Sequence, residues 1–310
     1  MPWVIKSVYR QSMELHELRC AVAVADHGSF TAAARALHLT QPAVSYIVRK
    51  LERELGVELF RRLGAGTRLT SAGEGFLPVA RETLRNADRV RATMAEITGV
   101  VTGRLAVTAP RTLVARMARM VGTFRQQYPG VVVDLIDAEG DTTVLEHLRS
   151  SRCELGLLRL SELPNDLHGK RVADEEFVAV FPPGTELRPN DSIGLEELAL
   201  HPVIAPPQAT PNRRAFEQIF ARHGEDLRIV AEAANPEAIL ELVSAGAGAS
   251  LASLDAATTL GPRSVLTRRL RPPIVQPVQL TSRLGHLSPA ANAFRELPPA
   301  AATVGYGRSP

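Results

Sequence analysis

Cysteine is nearly absent. Cys20 and Cys153 are the only two in 310 residues, far apart and in patterned segments. No CxxC pair and no Cys/His metal spacing occurs, which excludes zinc frameworks and disulfide scaffolds and leaves two buried, reduced thiols as the expectation. A peroxide sensor built on a closely spaced cysteine pair in the second half is disfavoured for the same reason. No apolar run reaches the length of a membrane span, and the opening MPWVIKSVYR has no apolar signal-peptide core. The expectation is a cytoplasmic protein without a membrane partner. Catalytic signatures are also missing: no nucleophile elbow, Walker sequence, GxGxxG after a strand, or HExxH. The Gly246–Ala249 run lacks dinucleotide-binding spacing, and the carboxylate pairs Glu175-Glu176 and Glu196-Glu197 read as exposed faces. No enzyme, metal or cofactor is expected.

Net charge is small, +3, but unevenly placed. Residues 13–70 carry eight arginines and lysines against six acids, and the first 12 residues add Lys6 and Arg10, so the rest of the chain is slightly acidic. A positive excess on the N-terminal fifth fits an end that meets phosphates. Hydrophobic residues make up 45% of the chain, enough for two or three cores.

What is present is sharpest at residues 29–70. Residues 1–12 precede the patterned sequence as a candidate leader, and Met13 is an alternative start. Leu15, Leu18, Val22 and Ala25 recur at helical spacing and predict one apolar face. Gly28 ends that helix, and Ser29 or Thr31 caps an Ala-rich second helix. After a break at His38-Leu39, Thr40 caps a third helix with Pro42 in its first turn. Val44, Ile47, Val48, Leu51 and Leu55 form its core face. Gln41, Ser45, Tyr46, Arg49 and Lys50 are left outward, and Gly56 ends it. Residues 57–60 and 67–70, around a turn at 64–66, predict a two-stranded wing. The helix–turn–helix and wing together predict a unit that lays one helix in the DNA major groove.

Ser71 and Glu74 fit a capping box that opens a long helix to about residue 98, bent or delayed by Pro78. Leu77, Ala80, Leu84, Ala87, Val90 or Arg91, Met94 and Ile97 form a narrow seam suited to a dimer contact. From about 100 the pattern alternates strands (104–108, 131–136, 154–158, 176–181, 202–205, 228–232, 249–254, 276–281) with helices (110–128, 143–150, 194–198, 213–223, 237–245, 288–297). Leu113, Met117, Met120 and Phe124 face inward. This predicts a parallel, doubly wound sheet in two α/β halves, with crossing segments near 167–175 and 271–276 around a hinged cleft. Residues 298–310 read as a frayed tail.

The run FTAAARALHLTQPAVSYIVRKLERELGVELFRR followed by LTSAG resembles the LysR-type transcriptional regulators. Further along, TFRQQYPGVVVDL, LVSAGAGASL and LSPAANAF are similar to the effector-binding domain of that family. The resemblance implies an α+β multidomain protein. Residues 13–70 would be a winged helix-turn-helix and 71–99 a dimerising linker helix. Residues 100–306 would form an α/β effector-binding domain of two periplasmic-binding-protein-like subdomains (100–172 with 277–306, and 173–276). It also implies a homotetramer built as a pair of homodimers on an interrupted palindrome of double-stranded DNA. A small-molecule effector in the cleft would alter DNA bending and the recruitment of RNA polymerase. Two positions depart from the family: Tyr46 stands where Arg or Gln is common, and the helix at 114–121 lacks a proline many members carry.

Candidate DNA contacts are Thr40, Gln41, Pro42, Ser45, Tyr46, Arg49, Lys50, Arg62 and Arg68. Gln41 and Ser45 sit early in the third helix, where side chains reach base edges. Tyr46 is placed for a sugar, a thymine methyl or a phosphate. Arg49 and Lys50 fit phosphates, and Arg62 and Arg68 fit backbone or minor groove. Candidate effector contacts are Pro110, Arg111 and Thr112 at a strand-to-helix turn, Arg159 after a strand, Pro211, Asn212 and Arg213 at a helix start, and Asn235, which fits a helix cap equally well. Three arginines near one cleft point to an organic anion. A stand-alone solute-binding protein would explain 100–300 but not 29–70. The alternative that remains is an architectural or repressor DNA binder that needs no effector.

Overall fold

The helix boundaries of the N-terminal segment follow from small local bonds. In the computed structural model, α1 (Leu15–His27) stops at Gly28, which adopts the left-handed φ of 61° that a side chain resists. Ser29 Oγ accepts from Ala32 N–H at 3.5 Å to start α2 (Phe30–Ala36). Thr40 Oγ1 accepts from Ala43 N–H at 3.4 Å to start α3 (Gln41–Leu55), which Gly56 ends with φ 71°. The structure describes residues 13–63, 66–97, 101–160, 162–187, 192–208, 210–221, 227–259 and 265–298. The expected leader at 1–12, the wing-turn residues 64 and 65, and the tail beyond 298 lie outside these.

The chain divides into two units, the first comprising the segment up to Gly103 with Arg149–Arg152, and the second Arg104–Leu148 with the segment from Cys153 on. In the first, Ala21, Val24, Ala33, Val44, Val48, Leu51 and Leu59 form the core. The alanines let three short helices pack closely. The buried face of α1 is Leu18, Cys20, Ala21 and Val24 rather than the expected Leu15–Leu18–Val22–Ala25; Leu15 is exposed and Val22 and Ala25 lie at the edge. Leu55 is likewise exposed, because Gly56 turns the chain away before the last turn of α3 can bury it. The wing is β1 (Phe60–Leu63) against β2 (Gly66–Leu69), antiparallel, with its first strand three residues and its second one residue away from the expected positions. Residues 57–59 stay outside it because Glu52 Oε1 accepts from Leu59 N–H (2.8 Å) and Phe60 N–H (3.2 Å), pinning the wing to α3. A long helix, α4 (Ser71–Ile97), follows without delay, with Pro78 inside it. Its cap is Thr70 and not Ser71: Thr70 Oγ1 accepts from Gly73 N–H at 3.1 Å. Leu77 and Ala80 of the expected seam are buried. α4 packs on α1, tied by Arg19 to Asp88 (3.2 Å) and Arg81 to Asp26 (2.5 Å). The side chains of Met94 and Ile97 are outside the described set.

In the second unit, β3 (Gly103–Pro110) leads through a short 3-10 turn at Arg111–Leu113 into α5 (Val114–Gln127). Then come β4 (Val131–Ala138), α6 (Asp141–Arg149), β5 (Leu155–Leu158), β6 (Leu167–Phe181), β7 (Ser192–Ile193), α7 (Leu195–Ala199) and β8 (Val203–Ala205). α8 (Pro211–Ala221), β9 (Ile229–Glu232), α9 (Pro236–Ser244), β10 (Ser250–Ser253), α10 (Leu254–Thr259), β11 (Leu266–Arg283) and α11 (Pro289–Arg295) complete it. Leu113, Met117, Met120 and Phe124 all face inward as expected, and Phe124 packs on Phe294 with ring centroids 5.1 Å apart.

The sheet corrects the parallel doubly wound expectation. Its order is β10-β6-β11-β5-β3-β4, with β7 beside β11. In it β3/β5 and β7/β11 are parallel, but β10/β6, β6/β11 and β11/β5 are antiparallel; β8 and β9 form a separate parallel pair. The expected crossing segments lie within two continuous strands, 167–175 as the first part of β6 and 271–276 as the middle of β11, paired from Leu167↔Arg283 to Phe181↔Leu266 with register shifts between Arg269 and Ile274 and between Val278 and Gln279. Glu175, Glu176, Pro272 and Pro273 had hidden them, because charged and proline residues interrupt the apolar run where the strands pass between two lobes. One lobe holds β3–β5, α5, α6 and α11, and the other β7–β10 and α7–α10. The second lobe has its own cores around Phe181, Phe216 and Phe220 and around Val178, Ile204 and Val243. Cys20 and Cys153 are both buried, as expected.

Candidate functional site

Two surfaces carry the chemistry, one in each unit. On α3, residues four and three apart fall on one face, and Pro42, Tyr46, Arg49 and Arg53 form an exposed stripe. Tyr46 is 66% exposed, unusual for so large a ring with no partner lobe to cover it. Gln41 is half-buried at the helix start, and Arg68 is exposed on the wing. Arg62 pairs with Thr67 in the wing register, and its side chain is outside the described set. Arg53 was not singled out in the sequence. Its spacing of four from Arg49 is the signal that marks it, and its Nε donates to the Arg49 carbonyl at 3.3 Å.

Two expectations on this helix are corrected. Ser45, expected outward, is only 8% exposed, one position from Val44 at the core. Lys50, expected on a phosphate, places Nζ 2.6 Å from Oε1 of the fully buried Glu17 on α1 and 3.6 Å from Glu54. Burial pushes the Glu17 carboxyl up, but the Lys50 ammonium and the Glu14 backbone N–H, which donates to it at 3.0 Å, outweigh that and hold it below the usual glutamate range. Thr40 serves as the cap described above.

In the second unit a cavity of about 270 Å³ opens between the lobes. Its wall is mixed: Thr112, Asp141, Arg159, Asn212 and Gln276 are polar, and Phe177, Phe216, Ile219, Ile239, Leu240 and Leu251 are apolar. Pockets of this composition hold small molecules: apolar walls bind the body and a few polar groups orient it. Arg159 is the buried cation of that wall, with Thr112 and Asp141 beside it. Its side chain is 9% exposed, with Nη1 3.0 Å from Glu175 Oε2, Nη2 donating to Thr112 Oγ1, and Cζ 5.9 Å from the Phe177 ring centroid. Burial raises the Glu175 carboxyl, which Arg159 opposes without reversing.

The three expected arginines do not converge. Arg213 is buried in its own lobe, at 2.7 Å from both Glu217 and Glu232 and 2.9 Å from the Pro206 carbonyl, so its charge is spent. Arg111 pairs with Asp137 at 3.3 Å and borders a second hollow of about 100 Å³. Arg159 alone lines the main cavity, together with the expected Thr112 and Asn212. Pro110 precedes the 3-10 turn, Pro211 opens α8 with its side chain outside the described set, and Asn235 is the N-cap of α9, accepting from Ala238 N–H at 2.7 Å. Asp141, Phe177, Phe216 and Gln276 were missed. Gln276 lies in the hidden middle of β11, and the others carry no local motif.

Residues 15–74 match the bacterial regulatory helix-turn-helix proteins of the lysR family, and residues 98–300 match the LysR substrate binding domain. The chain belongs to the LysR family of transcriptional regulators. This regulator is 31% identical over 287 residues to the RuBisCO operon transcriptional regulator of Allochromatium vinosum, covering 92% of this chain and 95% of that one. It is 30% identical to the transcriptional activator CmpR of Synechocystis over 77% and 79% of the two chains. A full-length OxyR variant from Pseudomonas aeruginosa shares its fold at a TM-score of 0.71, with 24% identity, over 92% of this chain and 98% of that one. CbnR, solved in complex with its target DNA, superposes at 0.62 with 25% identity over the same shares. As a LysR regulator the chain combines a DNA-binding winged helix-turn-helix with an effector-binding domain. No helix among the described residues is long and apolar enough to cross a membrane.

Proposed function

We propose that this regulator reads an interrupted palindrome in double-stranded DNA and that a small organic molecule in the cavity between its lobes sets its activity. The observation that carries this reading is the pairing, in one chain, of the exposed Pro42–Tyr46–Arg49–Arg53 stripe with a largely apolar cavity that has the buried Arg159 in its wall. Gln41 and Tyr46 meet base edges or the sugar, while Arg49, Arg53, Arg62 and Arg68 meet phosphates or the minor groove. Ser45 and Lys50 keep structural roles. The effector-binding domain works as two subdomains, 100–172 with 277–306 and 173–276, hinged within β6 and β11.

The effector has an apolar body against Phe177, Phe216 and Ile219 and one anionic or accepting group at Arg159 and Thr112. Glu175 already shares the Arg159 charge and Asp141 stands in the same wall, so one such group fits better than several. The chain forms a homodimer through α4, where Val79, Thr83, Ala87 and Val90 repeat along one face and Val79 and Val90 are each 65% exposed. Two dimers form a tetramer on the operator, contact RNA polymerase and act in the cytoplasm. The test is a thermal-shift screen of small organic acids, amides and amines on the full chain, followed by gel shift of the DNA upstream of its gene. A compound that raises the melting temperature and changes the DNA complex supports the reading. Tight operator binding with no response to any compound would favour the effector-independent alternative.

A further inference from the structure

Beside the cavity, at the second hollow, the two lobes are clasped by charge. Arg116 and Arg119, one turn apart on α5, both donate to a single oxygen of Asp255 in the first turn of α10, at 2.6 and 2.8 Å. The Arg116 side chain is 4% exposed, so its guanidinium depends on carboxylates for what water no longer supplies. Glu175 stands between this clasp and the cavity. It lies on β6, one of the two strands that join the lobes, and bonds Arg159 in the cavity wall. It also borders the second hollow together with Arg116, Arg119 and Asp255, within electrostatic reach of Arg116 and Asp255. One buried carboxylate therefore bonds Arg159 on the cavity side and faces the same hollow as Arg116 on the clasp side.

We propose that Asp255 sets how far the lobes close, and that Glu175 carries the state of Arg159 to it. A ligand acceptor at Arg159 takes up donors that Glu175 holds. The Glu175 carboxylate then turns its charge to Arg116, and the hold of Arg116 on Asp255 weakens. The chain Arg159–Glu175–Arg116–Asp255–Arg119 has two arrangements, one with Glu175 committed to the cavity and the clasp closed, the other with Glu175 committed to Arg116 and the clasp released. The direction of ligand control rests on the effector reading above. The coupling itself is a property of the protein alone, and it is tested without ligand.

The experiment is a distance measurement between spin labels on the full chain, at Glu146→Cys on α6 and Glu241→Cys on α9. Both positions lie on different lobes and reach solvent, and the native cysteines are buried. Asp255→Asn should broaden and lengthen the distance distribution, Asp255→Glu should keep it near that of the unsubstituted chain, and Arg119→Met, which leaves the buried Arg116 in place, should shift it in the same direction as Asp255→Asn. Arg159→Met should also lengthen it, and should lose that effect in a Glu175→Gln background. An unchanged distribution in both Asp255→Asn and Arg119→Met overturns the clasp. An Arg159→Met effect that is absent, or that persists with Glu175→Gln, overturns the transmission. A failure of the effector reading shows up instead in the thermal-shift screen and leaves these distances untouched.

Discussion

Lys50 on α3 places its ammonium 2.6 Å from the buried carboxylate of Glu17 on α1. The pair ties α1 to α3, and it neutralises one positive charge on the helix proposed to meet DNA. Glu17→Gln should release that charge. Nonspecific DNA binding should then fall more steeply with salt, its slope on a log–log plot growing by up to about 0.9 for one added phosphate contact. The melting temperature should drop at neutral pH. The folded pKa of Glu17 lies below its unfolded value, so its contribution is fully present above the unfolded pKa and is lost as pH falls through the folded one. The Glu17→Gln protein should therefore lose less stability on acidification than the unsubstituted chain. Thermal melts from neutral to acid pH check this, and parallel curves would contradict it.

Positioning and reading contacts should separate. Gln41→Ala should reduce discrimination between operator and mutated operator by about 1–3 kcal/mol while leaving random DNA nearly unaffected. Arg68→Ala should weaken both and lower the salt slope by about one. Titrations of operator and random duplex at several salt concentrations check the pair. Equal losses on both DNAs for Gln41→Ala would remove it from base reading.

Gly73, in the first turn of α4, has no room for a side chain: a Cβ there would lie 2.2 Å from the Leu59 carbonyl oxygen. That oxygen accepts from Thr70 N–H at 3.0 Å, so the clash falls on the bond joining the wing to the linker helix. Gly73→Ala should cost about 1–3 kcal/mol by overpacking and loosen the wing, which denaturant unfolding and amide exchange at residues 66–70 would report.

Ile219 is half-buried in the apolar wall of the cavity. Ile219→Trp should fill part of the space, abolish any ligand-induced rise in melting temperature and leave ligand-free operator binding intact. Retention of the full ligand response would place the effector elsewhere.

Much of the first unit is legible because its determinants are local. Gly28, Ser29, Thr40 and Gly56 act within four residues, and the structure places each where capping chemistry puts it. The face of a helix is less so. Ser45 and the buried side of α1 were misjudged because neighbouring positions differ by only about 100° and tertiary packing decides the rotation. Pairings across distance are invisible in sequence. Nothing near Lys50 signals Glu17 thirty-three residues away, and nothing near Arg213 signals Glu232. The strands β6 and β11 were cut short because pattern reading expects a strand to stay within one core, whereas these two cross between two. The cavity wall is therefore legible in part, at Thr112, Arg159 and Asn212, whereas Gln276 and Phe177 on the crossing strands are not.

The most direct measurement of the central claim is a binding titration of the purified full chain, at fixed salt, against the DNA upstream of its own gene and a scrambled duplex of equal length. Binding to the upstream DNA should be at least about 10³-fold tighter, and the difference should be lost in a chain that carries Gln41→Ala and Tyr46→Ala together. Equal affinity for the two duplexes, with and without small organic ligands, would contradict it.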